Sequence, residues 1–196
     1  MLRYAITSGT DAGLCEATIV QARRWSVEGI AYVQLREKEL EAGDLVRVAR
    51  AMVEVFAERG DGTKLLVNGR ADVAVAARAA GVHLTSRPWE LTTEQVRRVF
   101  AGAGRAAAVV SASCHSLEEV RRAVDHGVDL ILFGPVFEKR VEGTVVVAGV
   151  GLEALREACE VAGGTPVLAL GGVTEGSAAV CAEAGAAGVA GIRLFL

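Results

Sequence analysis

Aromatic residues make up only 5% of this 196-residue chain, with three prolines and two methionines. A core so poor in large rings has to be built from Ala, Val and Leu, which suits helices packed on a buried parallel sheet. No stretch of about 18 uninterrupted apolar residues occurs, so no membrane-spanning helix is expected. The four cysteines (Cys15, Cys114, Cys159, Cys181) lie far apart, without a C-x-x-C pair or a His at metal-ligand spacing. That excludes a zinc site and a disulfide framework and points to buried, reduced thiols. Clustered cations are missing too: Lys and Arg total 21 against 24 Asp and Glu, a net charge of −3. A nucleic-acid surface would need a basic face. The opening Met1-Leu2-Arg3-Tyr4-Ala5-Ile6 enters strand-like sequence without the apolar block and cleavage site of a signal peptide, which gives a cytoplasmic address as the expectation.

What is present is a regular alternation of short apolar runs and longer segments of helical period. Strands are expected at 3–7, 31–35, 65–67, 82–84, 108–111, 130–133, 167–170 and 188–194. Helices are expected at 15–28, 42–59, 71–80, 92–100, 117–126, 152–161 and 175–184. Glycines mark helix ends, and Ser116 with Glu119 and Thr92 with Gln95 have capping-box spacing. Eight such units share the 196 residues, leaving room for short strands, three-turn helices and tight loops. An open dinucleotide-binding sheet would place G-x-G-x-x-G after its first strand; Thr7-Ser8-Gly9-Thr10-Asp11-Ala12-Gly13 lacks that spacing. The predicted fold is a compact single-domain (β/α)8 TIM barrel spanning residues 1–196.

In such a barrel the loops after the strands carry the chemistry. Strand two ends Gln34-Leu35-Arg36-Glu37-Lys38, and the two-residue period sends Gln34, Arg36 and Lys38 to one side as a clamp for an anion or heterocycle. Asn68, at the end of strand three, is placed to orient a ligand, while Asp72 complements the following helix dipole. His83 reads as a satisfied core histidine and His126 as a helix C-cap. Strand five ends Ser111-Ala112-Ser113-Cys114-His115-Ser116. That puts His115 at the rim as the candidate general acid/base, with Ser113 beside it as a substrate contact. Gly171-Gly172 after strand seven and Gly188, Ala190 and Gly191 in strand eight form a candidate phosphate cradle.

These residues resemble a known family, the thiamin-phosphate-synthase and thiazole-tautomerase (TenI-like) superfamily. The resemblance rests on Gln34-Leu35-Arg36-Glu37-Lys38, Gly81-Val82-His83-Leu84, Ser113 to Glu119, Leu132 to Phe137, Ala169 to Val173 and Ala184 to Ala190, in order and spacing. In the synthase branch it implies an aminopyrimidine diphosphate held by Gln34, Arg36, Lys38 and Asn68 with magnesium. The synthase pattern has Asn-Asp-Arg where this chain has Asn68-Gly69-Arg70, and a further carboxylate soon after strand four where Thr85-Ser86-Arg87-Pro88-Trp89 stands, with Glu90 late. Its loop after strand six is replaced by Glu138-Lys139-Arg140-Val141-Glu142-Gly143. Magnesium commonly takes one or two carboxylates plus the diphosphate oxygens.

On those grounds the tautomerase branch is the closer resemblance. It implies a metal-free and cofactor-free proton shift on a carboxythiazole phosphate, with His115 as the base. The alternative is a synthase joining aminopyrimidine diphosphate to thiazole phosphate, with magnesium recruited by Glu138, Glu142 or water. A third possibility is a non-catalytic regulatory barrel that binds a phosphate ligand. The expected partner is a small-molecule phosphate substrate, with no nucleic acid and no membrane, and a homodimer is plausible on the exposed Ala and Val faces. The 138–148 loop has no clear period and is compatible with order or with closure over a ligand.

Overall fold

The computed structural model describes residues 1–8, 15–60, 62–87, 90–105, 108–141 and 144–196, with backbone alone at 15, 59 and 139–141. Along the chain run β1 (Leu2–Ile6), α1 (Cys15–Val27), β2 (Tyr32–Leu35), α2 (Ala42–Arg59), β3 (Lys64–Asn68), α3 (Ala71–Ala76), β4 (Gly81–Leu84) and α4 (Thr93–Gly102). The second half holds β5 (Val109–Cys114), α5 (Leu117–Asp125), β6 (Leu130–Phe133), β7 (Lys139–Val141), β8 (Thr144–Val147), α6 (Gly151–Ala162), β9 (Val167–Leu170), α7 (Glu175–Glu183) and β10 (Gly188–Gly191). A short 3-10 turn follows over Arg193–Phe195.

Eight of these strands close into a parallel barrel in the order β1-β10-β9-β6-β5-β4-β3-β2, while β7 and β8 form a separate antiparallel hairpin. The expected (β/α)8 barrel is therefore present. Alternation along each strand separates two cores. Tyr4, Ile6, Leu66, Leu130, Leu132, Leu168 and Ala190 fill the barrel interior. Val33, Leu35, Leu65, Val67, Val82, Val110, Ile131 and Val189 face the helices. On α2 the buried residues Leu45, Val48, Ala49, Met52, Val55 and Phe56 recur at three- and four-residue spacing, one apolar stripe laid against that outer face.

Three element boundaries differ from the expectation by three or more residues. Strand β5 continues to Cys114 because Ser111 and Ser113, polar in sequence, turn into the barrel interior and find partners there. Helix α3 stops at Ala76, and Arg78 adopts a left-handed φ of 60° as the chain turns into β4. The last strand ends at Gly191 rather than at residue 194, and the chain folds into the 3-10 turn, whose Phe195 carbonyl accepts from the Trp25 indole at 2.9 Å. The β7–β8 hairpin was not anticipated; its Val145, Val146 and Val147 stand exposed on a two-stranded ribbon, where neither face is covered and no alternation is imposed. Glu142 and Gly143, within the loop of open order, lie outside the described residues. No described helix is long and apolar enough to cross a membrane.

Candidate active site

The C-terminal ends of the barrel strands open into a cavity of about 680 Å³. Gln34, Arg36, Lys38, Asn68, Ser113, His115, Gly171, Gly172, Ala190 and Gly191 line it, so ten of the residues singled out in the sequence are brought together. Gly188 is not among them. It opens β10 at the other end of the barrel, where a β-carbon would lie 2.2 Å from the Leu2 carbonyl oxygen, so its lack of a side chain serves strand packing rather than phosphate binding. Gly171 and Gly172 are also shaped by packing: added β-carbons would meet Pro135 at 2.6 Å and Phe137 at 2.7 Å. The loop after β6 runs along them, with Val136 N–H donating to Leu170 and Phe137 N–H to Gly171 at 2.8 and 3.0 Å. Both glycines nevertheless present backbone to the cavity.

The cavity floor is a buried polar network. Gln34 Nε2 donates to Asn68 Oδ1 at 2.8 Å, which fixes the amide of Gln34 and leaves the Asn68 side-chain nitrogen for a ligand. Deeper, the Tyr4 hydroxyl meets Ser111 Oγ at 3.0 Å, and Ser111 Oγ lies 2.8 Å from His83 Nδ1. His83 Nε2 reaches Ser113 Oγ at 2.9 Å. Burial raises the Tyr4 pKa, so its proton stays in place as a donor. If Tyr4 donates to Ser111 and Ser111 donates to Nδ1, His83 carries its proton on Nε2 toward Ser113. The Ser113 hydroxyl proton then points on to a cavity ligand. Gln34, His83 and Ser111 are at most 2% exposed, and each has a partner, as buried polar groups require. Burial, reinforced by the Arg36 charge, pushes His83 down to about 3, so it works as a neutral hydrogen-bonding group. The satisfied-core expectation for His83 holds, and the residue lines the cavity as well.

His115 stands exposed at the rim, just after β5. Its Nδ1 hydrogen-bonds the Gly134 carbonyl, an acceptor only, so Nδ1 donates and the matching tautomer of the ring has its lone pair on Nε2 for another partner. Its backbone N–H is held by Glu119 Oε2 at 2.5 Å. Glu119 N–H in turn donates to Ser116 Oγ at 3.2 Å, which caps α5. Neighbouring Cys114 is buried, and burial raises its thiol to about 12, which leaves it protonated and unreactive. Cys181 is buried and Cys159 half-buried; the side chain of Cys15 lies outside the described residues.

Charge is distributed unevenly. Among the described residues, Arg36, Lys38, Arg87 and Arg193 line the cavity against a single carboxylate, Glu138. None of these four cations pairs with a carboxylate among the described residues, whereas Arg24, Arg47, Arg70, Arg97, Arg98 and Arg156 all do. Cations without carboxylate partners lining one cavity favour anionic ligands. Arg87 and Arg193 were missed in the sequence. Arg87 carried the same strand-end address as Arg36, but Arg193 was hidden by reading the last strand through residue 194. Asp72, placed at the start of α3 as expected, is gripped by Arg70 through bonds of 2.8 and 2.6 Å, which lower its pKa. His126 caps α5 as expected.

Beside this cavity lies a second one of about 500 Å³ that shares Arg36, Lys38, Asn68, Thr85 and Arg87 with it. Glu90 lines its wall. Glu90 Oε2 accepts from Thr85 N–H at 2.6 Å and from the Thr85 hydroxyl.

A family model described as thiamine monophosphate synthase matches residues 3–195. A putative thiamine-phosphate synthase 2 of Aquifex aeolicus is 34% identical over 196 residues, covering 98% of this chain and 96% of that protein. A thiamine-phosphate synthase of Thermus thermophilus is 33% identical over 193 residues, 98% of this chain and 88% of its own. Among solved structures, a thiamine phosphate pyrophosphorylase from Pyrococcus furiosus superimposes with a TM-score of 0.78 at 26% identity, over 98% of this chain and 85% of that one. The chain belongs to the thiamine monophosphate synthase family.

Proposed function

We propose that the cavity is the active site of a thiamine-phosphate synthase, joining an aminopyrimidine diphosphate to a thiazole phosphate. The observation that carries this reading is that one cavity has two anion-receptive ends. Arg36, Lys38 and Arg87 stand after β2 and β4, and the backbone of Gly171 and Gly172 after β9 faces them with Gly191 at the end of β10 and the Arg193 side chain beyond it. Gln34, Asn68 and Ser113, with apolar Ile6, Leu132 and Leu170, form the floor between them. The condensation breaks the bond from the pyrimidine methylene carbon to the diphosphate oxygen and forms one from that carbon to the thiazole nitrogen. The leaving diphosphate keeps the electron pair. Cations fixed at the first end stabilise the charge developing there, and the polar floor orients the two rings toward each other. The names of the Aquifex and Thermus relatives support the same reaction.

Magnesium, which the family resemblance implies, does not suit these residues. The described residues hold no group of three His, Cys, Asp or Glu placed to bind a metal ion, and the one described carboxylate lining the main cavity, Glu138, follows β6, across the barrel from Arg36 and Lys38 after β2. Residue 69 is glycine, and Glu90, the carboxylate beside it, commits Oε2 to Thr85 amid a wall carrying Arg36, Lys38, Arg70 and Arg87. No step is therefore assigned to a metal.

A specific observation favours the tautomerase as a second reading: His115 at the rim has a Nδ1 fixed by a carbonyl, as suits a base that moves a proton within one carboxythiazole phosphate. Supplying each substrate set separately to the purified chain discriminates. Thiamine phosphate and diphosphate appearing in equal amounts support the condensation. Aromatisation of the carboxythiazole phosphate without condensation supports the tautomerase. Binding without turnover of either set removes both.

A further inference from the structure

The segment after β4 is built as a clamp. Gly69 has a left-handed φ of 62°, and a β-carbon there would come within 3.0 Å of Glu90 Oε1. With residue 69 bare, the Glu90 carboxylate fits against the end of β3 and hydrogen-bonds back to both Thr85 donors. Glu90 N–H also donates to the Arg87 carbonyl at 3.2 Å, so Glu90 is tied to both Thr85 and Arg87. Arg87 is exposed, lines both cavities and has no carboxylate partner among the described residues. The positions where the resemblance leads one to expect carboxylates thus hold a glycine and a loop that delivers a guanidinium.

We infer that this chain neutralises the anionic group bound beside β2 with Arg87, held in place by the Glu90–Thr85 clamp and acting with Arg36 and Lys38, in place of a divalent cation. Arg87 is a binding residue and Glu90 a positioning residue. The ligand chemistry is a diphosphate, which rests on the synthase reading. Guanidinium groups suit it, since they are always charged and pair with phosphate oxygens through two parallel N–H donors.

The test is calorimetric titration of inorganic pyrophosphate into the full chain, with EDTA and then with magnesium. Saturable binding in EDTA that magnesium does not tighten is expected. Arg87→Ala should weaken it about tenfold or more, and Glu90→Ala by a similar factor. The double variant should be no weaker than Arg87→Ala alone, because Glu90 acts through Arg87. Binding that requires magnesium, an unchanged Arg87→Ala, or a Glu90→Ala loss that adds fully to that of Arg87→Ala would overturn the inference. Metal-free pyrophosphate binding without condensation turnover removes the synthase reading and leaves this one standing. Magnesium-dependent binding with turnover does the reverse.

Discussion

Glu90 Oε1 stands 3.0 Å from the point a β-carbon on residue 69 would occupy. The two positions are far apart in sequence, yet each sets what the other can be. An aspartate at residue 69 would press a second carboxylate against Glu90, and any L side chain there meets a φ of 62°. Gly69→Asp is expected to destabilise the fold by about 1–3 kcal/mol, from backbone strain and like-charge contact. Chemical denaturation measures this, and a parallel loss of pyrophosphate affinity would show that the turn presenting Arg87 has been released.

His115 separates the two catalytic readings. As the base of a proton shift, its replacement by alanine should lower tautomerisation turnover by about 10²–10⁴-fold. The condensation moves no proton to the thiazole nitrogen, so the same variant should keep most of its synthase rate. Steady-state kinetics of His115→Ala on both substrate sets checks this.

His83 makes acid stability predictable. Its pKa is about 3 in the fold against 6.5 when unconstrained. Above 6.5 the folded and unfolded chains both hold it neutral, and it adds no pH dependence. As pH falls from 6.5 toward 3 the unfolded chain takes up a proton that the folded chain refuses, so stability declines with falling pH. Between about pH 8 and about pH 5 this group accounts for a loss on the order of 2 kcal/mol. His83→Gln should show a correspondingly smaller difference in unfolding free energy between those conditions.

Gly188 and Arg193 make a contrasting pair near the end of the chain. Gly188→Ala forces a β-carbon to 2.2 Å from the Leu2 carbonyl oxygen. It should cost about 1–3 kcal/mol or more, with thiazole phosphate affinity unchanged in the folded protein. Arg193→Ala should leave stability nearly unchanged and weaken thiazole phosphate binding about tenfold, since it removes a charge-assisted contact from the cavity wall. Thermal unfolding and calorimetry together check both.

The barrel and most of the cavity were legible in the sequence, because both follow from local periodicity. Period two put Gln34, Arg36 and Lys38 on one wall, and the strand-end rule put Asn68, Ser113 and His115 at the mouth. What local pattern could not supply was distance across the barrel. Tyr4, His83 and Ser111 come from three strands and meet only after closure. Gly188 shared the glycine signal of the phosphate turns but sits at the opposite end of its strand, where a backbone neighbour is the reason for it. The valines of β8 carried no alternation because the hairpin covers no face of the barrel. In sequence Glu90 is a carboxylate set late after strand four, and only the fold brings it back to residue 69.

The claim that one cavity holds two anionic groups at separate ends is tested most directly by titrating thiazole phosphate into the chain already saturated with pyrophosphate. Thiazole phosphate should bind with an affinity unchanged or improved, giving a ternary complex with one of each ligand. Mutual displacement, with the two ligands competing for a single site, would contradict it.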